Sequence, residues 1–190
     1  MSSKFITTMQ QAIDARYKLK RYGRGWILSD NEMQTKICVP NRHSIAFSLD
    51  SKEKPLGFLS DKPPENLAKM CDAILFCFYQ GKIYLFVIEM KTTHKSHYTK
   101  QLTNGKLFCH WLISLFKTYN YLEEEPTAIS LLLWRPRSNA VRKGTTTHSH
   151  PGDGIVPDEN LDLRDLFDHS FQIRNQETVQ IINLVKRIVK

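Results

Sequence analysis

The sequence predicts an α/β fold in which helices flank a central mixed β-sheet, and three stretches predict it. Residues 72–91, DAILFCFYQGKIYLFVIEMK, hold two apolar runs broken by Gln80-Gly81, the pattern of a hairpin with no solvated face. From Tyr98 the apolar residues fall at Leu102, Phe108, Cys109, Leu112, Ile113 and Phe116, the three-to-four spacing of an amphipathic helix. Residues 127–134, TAISLLLW, then form a continuous apolar run, as expected of a strand buried on both faces. A hairpin, a helix packed back on it and a further inner strand make an α/β layer structure.

The remaining elements follow in chain order. Ser3 is placed to cap a helix over 4–22 with Phe5, Met9, Ala12, Ile13 and Tyr17 as its buried stripe, ended by Gly23 and Gly25. Residues 36–39 and 44–49 read as short strands, and 52–65 as a loop rich in Pro and Lys. After the strand at 127–134 comes a loop containing TTTHSHPGDG, whose His148, His150 and Asp153 lack a fourth zinc ligand at a convincing spacing. Asn175 is placed to cap a final helix over 176–190, with Val179, Ile182, Val185 and Val189 facing the core. A chain of 190 residues that is 41% hydrophobic can bury one core, so 1–190 reads as a single domain with its central motif region at about 65–135.

The charges at the margins of the hairpin need a partner. Asp72 opens the first apolar run, and Glu89-Met90-Lys91 closes the second. Charges there cost desolvation energy unless they pair with one another or with a metal ion. If the turn is Gln80-Gly81, Tyr79 pairs with Lys82 and the ladder runs back until Asp72 lies opposite Glu89, with Lys91 on the same face. A longer turn with a glycine bulge would leave the two acids diagonal, still within reach of one cation. Two carboxylates with room for water suit Mg²⁺ or Mn²⁺, and a lysine beside them can hold a phosphate or orient the attacking water.

Asp72 followed by Glu89-Met90-Lys91 on the next strand resembles the active-site signature of the PD-(D/E)XK nuclease superfamily, over roughly residues 70–135. The resemblance implies a restriction-endonuclease-like core: a helix, three antiparallel strands, a second helix, and a fourth strand parallel to the sheet. Asp72 and Glu89 would hold the metal with the Met90 carbonyl, and Lys91 would position water or phosphate. Gln101, in Tyr98-Thr99-Lys100-Gln101-Leu102, resembles the Gln-Leu element of RecB-like members, where the glutamine reaches toward the metal. Cys71 stands where the family name has proline, and Gly105 where the RecB-like group usually carries tyrosine. Asp14, Glu32 and Glu65 are candidates for the further acid that the superfamily often adds.

The plain alternative for the Asp72 set is a structural ion pair, since a lone Glu-x-Lys is common by chance. Asp50-Ser51-Lys52, with Glu32 upstream, offers a decoy. It runs into Glu53-Lys54-Pro55 and lacks the polar connector 92–97 and the amphipathic helix that follow Lys91.

The net charge of +8 is unevenly distributed. Lys4, Arg16, Lys18, Lys20, Arg21 and Arg24 load the first segment. Lys95, Lys100, Lys106 and Lys117 follow the motif, and Arg135, Arg137, Arg142 and Lys143 follow the inner strand. Lys95, Lys100, Arg135 and Arg137 are the leading candidates for phosphate contact. Residues 153–168 carry six acids and one Arg and should face away from nucleic acid. The four cysteines show no close paired spacing, as expected of buried, reduced thiols in a cytoplasmic protein. No run is long enough to span a bilayer. The expected activity is a Mg²⁺- or Mn²⁺-dependent endonuclease acting on DNA in a restriction, defence or mobile-element setting, with a homodimer as one expected assembly. A non-catalytic nucleic-acid-binding or assembly subunit that kept the fold, or an RNA-cleaving member, is the alternative.

Overall fold

Gln80 and Gly81 both adopt positive φ, 48° and 81°, the backbone of the tight turn whose twist matches the strands it joins. The computed structural model describes residues 2–29, 34–39, 43–50, 64, 67–91, 98–134, 155–157, 169–174 and 178–188. In chain order these form α1 (Ser2–Ala12), a 3₁₀ turn (Ala15–Tyr17), β1 (Lys20–Tyr22), β2 (Gly25–Ser29), β3 (Gln34–Cys38) and β4 (Ser44–Phe47). There follow β5 (Ala73–Tyr79), β6 (Lys82–Lys91), α2 (Tyr98–Thr118), β7 (Thr127–Trp134), β8 (Ile155–Pro157), β9 (His169–Arg174), β10 (Thr178–Gln180) and α3 (Ile181–Ile188). The architecture is α/β, with two mixed sheets and three helices among the described residues.

The larger sheet has the order β4-β5-β6-β7-β9-β8. Strands β4, β5 and β6 are antiparallel neighbours, α2 connects β6 to β7, and β7 lies parallel to β6. Such a crossover needs a helix, because a parallel pair cannot be joined by a tight turn. Both faces of β5 and β6 are apolar. Ile74, Phe76, Leu85 and Val87 meet α1 and α2 on one side. Leu75, Cys77, Phe86 and Ile88 meet the second sheet and α3 on the other.

The second sheet, β1-β2-β3-β10, supplies Trp26, Leu28, Ile37 and Val179 to that side. A helix was expected to do most of this covering, and the reason for the difference lies in the N-terminal segment. The helix expected over 4–22 stops at Ala12. Asp14 accepts a hydrogen bond from the Arg16 N–H and caps the 3₁₀ turn, a local bond that competes with helical pairing. The chain then joins β4: the Leu19 N–H donates to the Ala46 carbonyl and the Ser48 N–H to the Tyr17 carbonyl. Gly23, at φ 59°, turns the β1–β2 hairpin instead of ending a helix. Ala12, expected to be buried, is exposed.

The C-terminal helix is likewise shorter than the expected 176–190. Residues 178–180 extend as β10 beside β3, and the helix begins at Ile181 with Ile181, Leu184 and Val185 inward. Strands β1, β2, β8, β9 and β10 were not foreseen. Asn175, His148, His150, Asp153 and most of the acidic 153–168 stretch lie outside the described residues. Among the described residues no helix is long and apolar enough to cross a membrane.

Candidate functional site

The two-residue turn fixes the register: Tyr79 pairs with Lys82 and Ala73 with Ile88. Asp72, the residue before β5, is therefore in line with Glu89. Its Oδ2 accepts a hydrogen bond of 2.5 Å from the Met90 N–H, so the acid is tied to the backbone of the strand that carries Glu89. Strand alternation puts Glu89 and Lys91 on the α2 side of the sheet with Leu85 and Val87. Lys91 Nζ lies 2.5 Å from Glu89 Oε1 and donates to Gln101 Oε1 at 2.8 Å. Gln101, in the first turn of α2, directs its Nε2 to the Met70 carbonyl at 3.4 Å. The structure thus brings Asp72, Glu89, Met90, Lys91 and Gln101 together at the carboxyl end of β6.

The environment of Glu89 is the unusual part. Its side chain is 0% exposed on an inner strand. The Lys91 ammonium is at ion-pair distance from Oε1, and it and the Asp72 backbone favour the charged form, but burial outweighs them. Burial, and next the Asp72 charge, push the Glu89 carboxyl up to about 8, with Lys91 opposing the shift. A buried acid beside a second carboxylate, with an ammonium at ion-pair distance, is left incompletely compensated. That donor set fits a hard divalent cation taking oxygen ligands, with Asp72 and Glu89 as the side chains that would hold it.

Three features around the site were not legible in the sequence. Asn104, one turn beyond Gln101, donates its amide to the Lys69 carbonyl at 2.7 Å and holds the segment leading into Asp72. The only signal for it was an amide three residues from Gln101 on a helix. Gly105 is where α2 packs closest. A Cβ there would sit 2.5 Å from Cys71 Sγ and 2.9 Å from Val87 Cγ1. A side chain at Gly105, tyrosine above all, would push the helix off the sheet. Lys106, grouped with the phosphate contacts by sequence, is fully buried, and burial lowers its ammonium to about 8.

The other candidates divide. Lys100 is exposed in the first turn of α2. Lys117 pairs with Glu125 at 2.6 Å. Asp14 is engaged by Arg16, and among the described residues no group of three metal-binding side chains exists, so Asp14 adds no third ligand to Asp72 and Glu89. Glu32, Glu65, Lys95, Arg135 and Arg137 lie outside the described residues. Trp134, the residue before Arg135, is in parallel register with Lys91. Cys71, Cys77 and Cys109 are buried and Cys38 partly so, all four free. Burial raises the Cys71 thiol well above the ordinary range and Cys77 to about 12, so neither is a reactive thiolate.

No protein-family model, curated protein or solved structure matches the chain.

Proposed function

We propose that this protein is a metal-dependent endonuclease of the PD-(D/E)XK type that hydrolyses phosphodiester bonds in nucleic acid, with DNA as the substrate to test first. The observation that carries the reading is Glu89: fully buried on an inner strand, beside Asp72 and at ion-pair distance from Lys91, with burial outweighing what Lys91 offers. With β1–β3 set apart in the second sheet, the order α1, antiparallel β4-β5-β6, α2, parallel β7 also supports a restriction-endonuclease-like core. So does the position of the site beyond the carboxyl ends of parallel strands, where open α/β sheets bind ligands.

In this reading Asp72 and Glu89 hold Mg²⁺ or Mn²⁺. A bound divalent ion supplies charge neutralisation at phosphorus and a water of lowered pKa. Lys91, held between Glu89 and Gln101, offers its ammonium to a phosphate oxygen or to the attacking water. Lys100 contributes a phosphate contact at the mouth, and Lys95, Arg135 and Arg137 are proposed to extend it. The test is incubation of the full chain with plasmid, single-stranded DNA and structured RNA, with Mg²⁺ or with EDTA. Mn²⁺ titration calorimetry on the wild type and on Asp72→Asn accompanies it. Metal-dependent cleavage with Mn²⁺ binding that vanishes in the variant is expected. Cleavage at wild-type rate by Asp72→Asn would overturn the site.

A further inference from the structure

We infer that the outer face of the four-stranded sheet is a binding surface for single-stranded nucleic acid, with Tyr22 as the base platform and Lys20 and Lys36 as phosphate contacts. This rests on the reading that the protein acts on nucleic acid and names a surface remote from the Asp72 site, on the other side of the larger sheet.

The register defines the surface. Lys20 pairs with Ile27, which pairs with Lys36, and Lys36 pairs with Thr178, so these four point the same way. Tyr22, Gly25, Cys38 and Gln180 form the next row on the same face. The alternate residues, Trp26, Leu28, Ile37 and Val179, are buried against the larger sheet, so this face is turned outward. Lys20, Tyr22, Thr178 and Gln180 on it are exposed. No acid occupies any described position of this face, whereas a lysine-rich solvated surface ordinarily intersperses both signs.

One detail distinguishes it from scattered surface lysines. Tyr22 is 58% exposed, and Lys36 Nζ sits 4.5 Å from its ring centroid, so ring and cation are already oriented. Arg24 stands exposed in the adjoining hairpin turn. An exposed aromatic beside lysines stacks unpaired bases, which a duplex withholds.

The experiment uses the full chain in EDTA, where no cleavage occurs, and a fluorescent single-stranded oligothymidine with a duplex of equal length as comparison. Tyr22→Ala is expected to weaken single-strand binding about tenfold, and Tyr22→Phe, which keeps the ring, to bind like the wild type. Lys20→Ala with Lys36→Ala should lower the slope of log affinity against log salt by roughly 1.4, about 0.7 per lost contact. Lys186→Ala with Arg187→Ala, on α3, should leave both affinity and slope unchanged. Wild-type binding unaffected by the Tyr22 and lysine variants would overturn this surface and leave the proposed function standing. Absence of any nucleic-acid binding by the wild type would overturn both, as would binding to phosphatidylserine vesicles in its place.

Discussion

Glu89→Gln keeps the shape of the side chain and removes its charge, and the structure sets the size of the effect. In the metal-free protein the Glu89 carboxyl titrates at about 8 against the ordinary 4.5. Its folded form holds a proton that the unfolded form gives up, so stability is complete below pH 4.5 and declines as pH rises toward 8. At about 1.4 kcal/mol per pH unit the decline amounts to roughly 4–5 kcal/mol, a large share of the 5–15 kcal/mol typical of a folded domain. The glutamine variant lacks this loss. Urea unfolding in EDTA should therefore show the two proteins close at pH 5 and Glu89→Gln clearly the more stable at pH 8. Adding Mn²⁺ at about a hundred times its dissociation constant should return roughly 2.7 kcal/mol to the wild type and nothing to the variant. Parallel stabilities from pH 5 to 8 would show that Glu89 is satisfied without a metal. Equal stabilisation of both proteins by Mn²⁺ would place the metal elsewhere.

Two further substitutions probe neighbouring parts of the same site. Lys91→Ala should abolish cleavage while leaving most nucleic-acid binding, since one ammonium is one of many phosphate contacts; a loss of Mn²⁺ binding as large as in Glu89→Gln would show that the lysine holds the metal site together instead. Gly105→Ala should cost about 1–3 kcal/mol by overpacking against Cys71 and Val87, read as a melting temperature lower by several degrees, and adding Cys71→Ala should recover part of it. No recovery in the double variant would mean that the strain falls on Val87.

What could be read from residues alone was what short-range rules fix. The hairpin register followed from counting outward from two turn residues, and the β7 run was bounded by its own composition. The N-terminal helix failed where a stripe at helical spacing continued past Asp14 by chance. The competing bond to Arg16 is local, but the pairing of Leu19 and Ser48 with β4 and its neighbours spans some thirty residues of chain. Strand β9 shows an alternation in Phe171 and Ile173, yet its place beside β7 is a long-range choice. The close approach at Gly105 and the burial of Lys106 depend on how a helix is seated, which no spacing encodes. In the candidate site the carboxylates and Lys91 were legible because charge is conspicuous in an apolar run. Asn104 was not, because an amide on a helix is ordinary.

The turn at Gln80 and Gly81 governs more than the end of a hairpin. Alternation of apolar and polar residues normally fixes strand alignment, because a slip of one position would expose apolar side chains. Strands β5 and β6 are buried on both faces, so a one-residue slip would expose nothing and that safeguard is missing here. Alignment is left to the two turn residues at one end and to the Asp72, Glu89 and Lys91 contacts at the other, seven strand pairs distant. Lengthening the turn by one residue would let the strands slide with their apolar contacts intact, carrying Asp72 opposite Met90 or Ile88 and onto the other face from Glu89. The fold would survive such an insertion better than the site, and the turn acts as the gauge that sets one against the other.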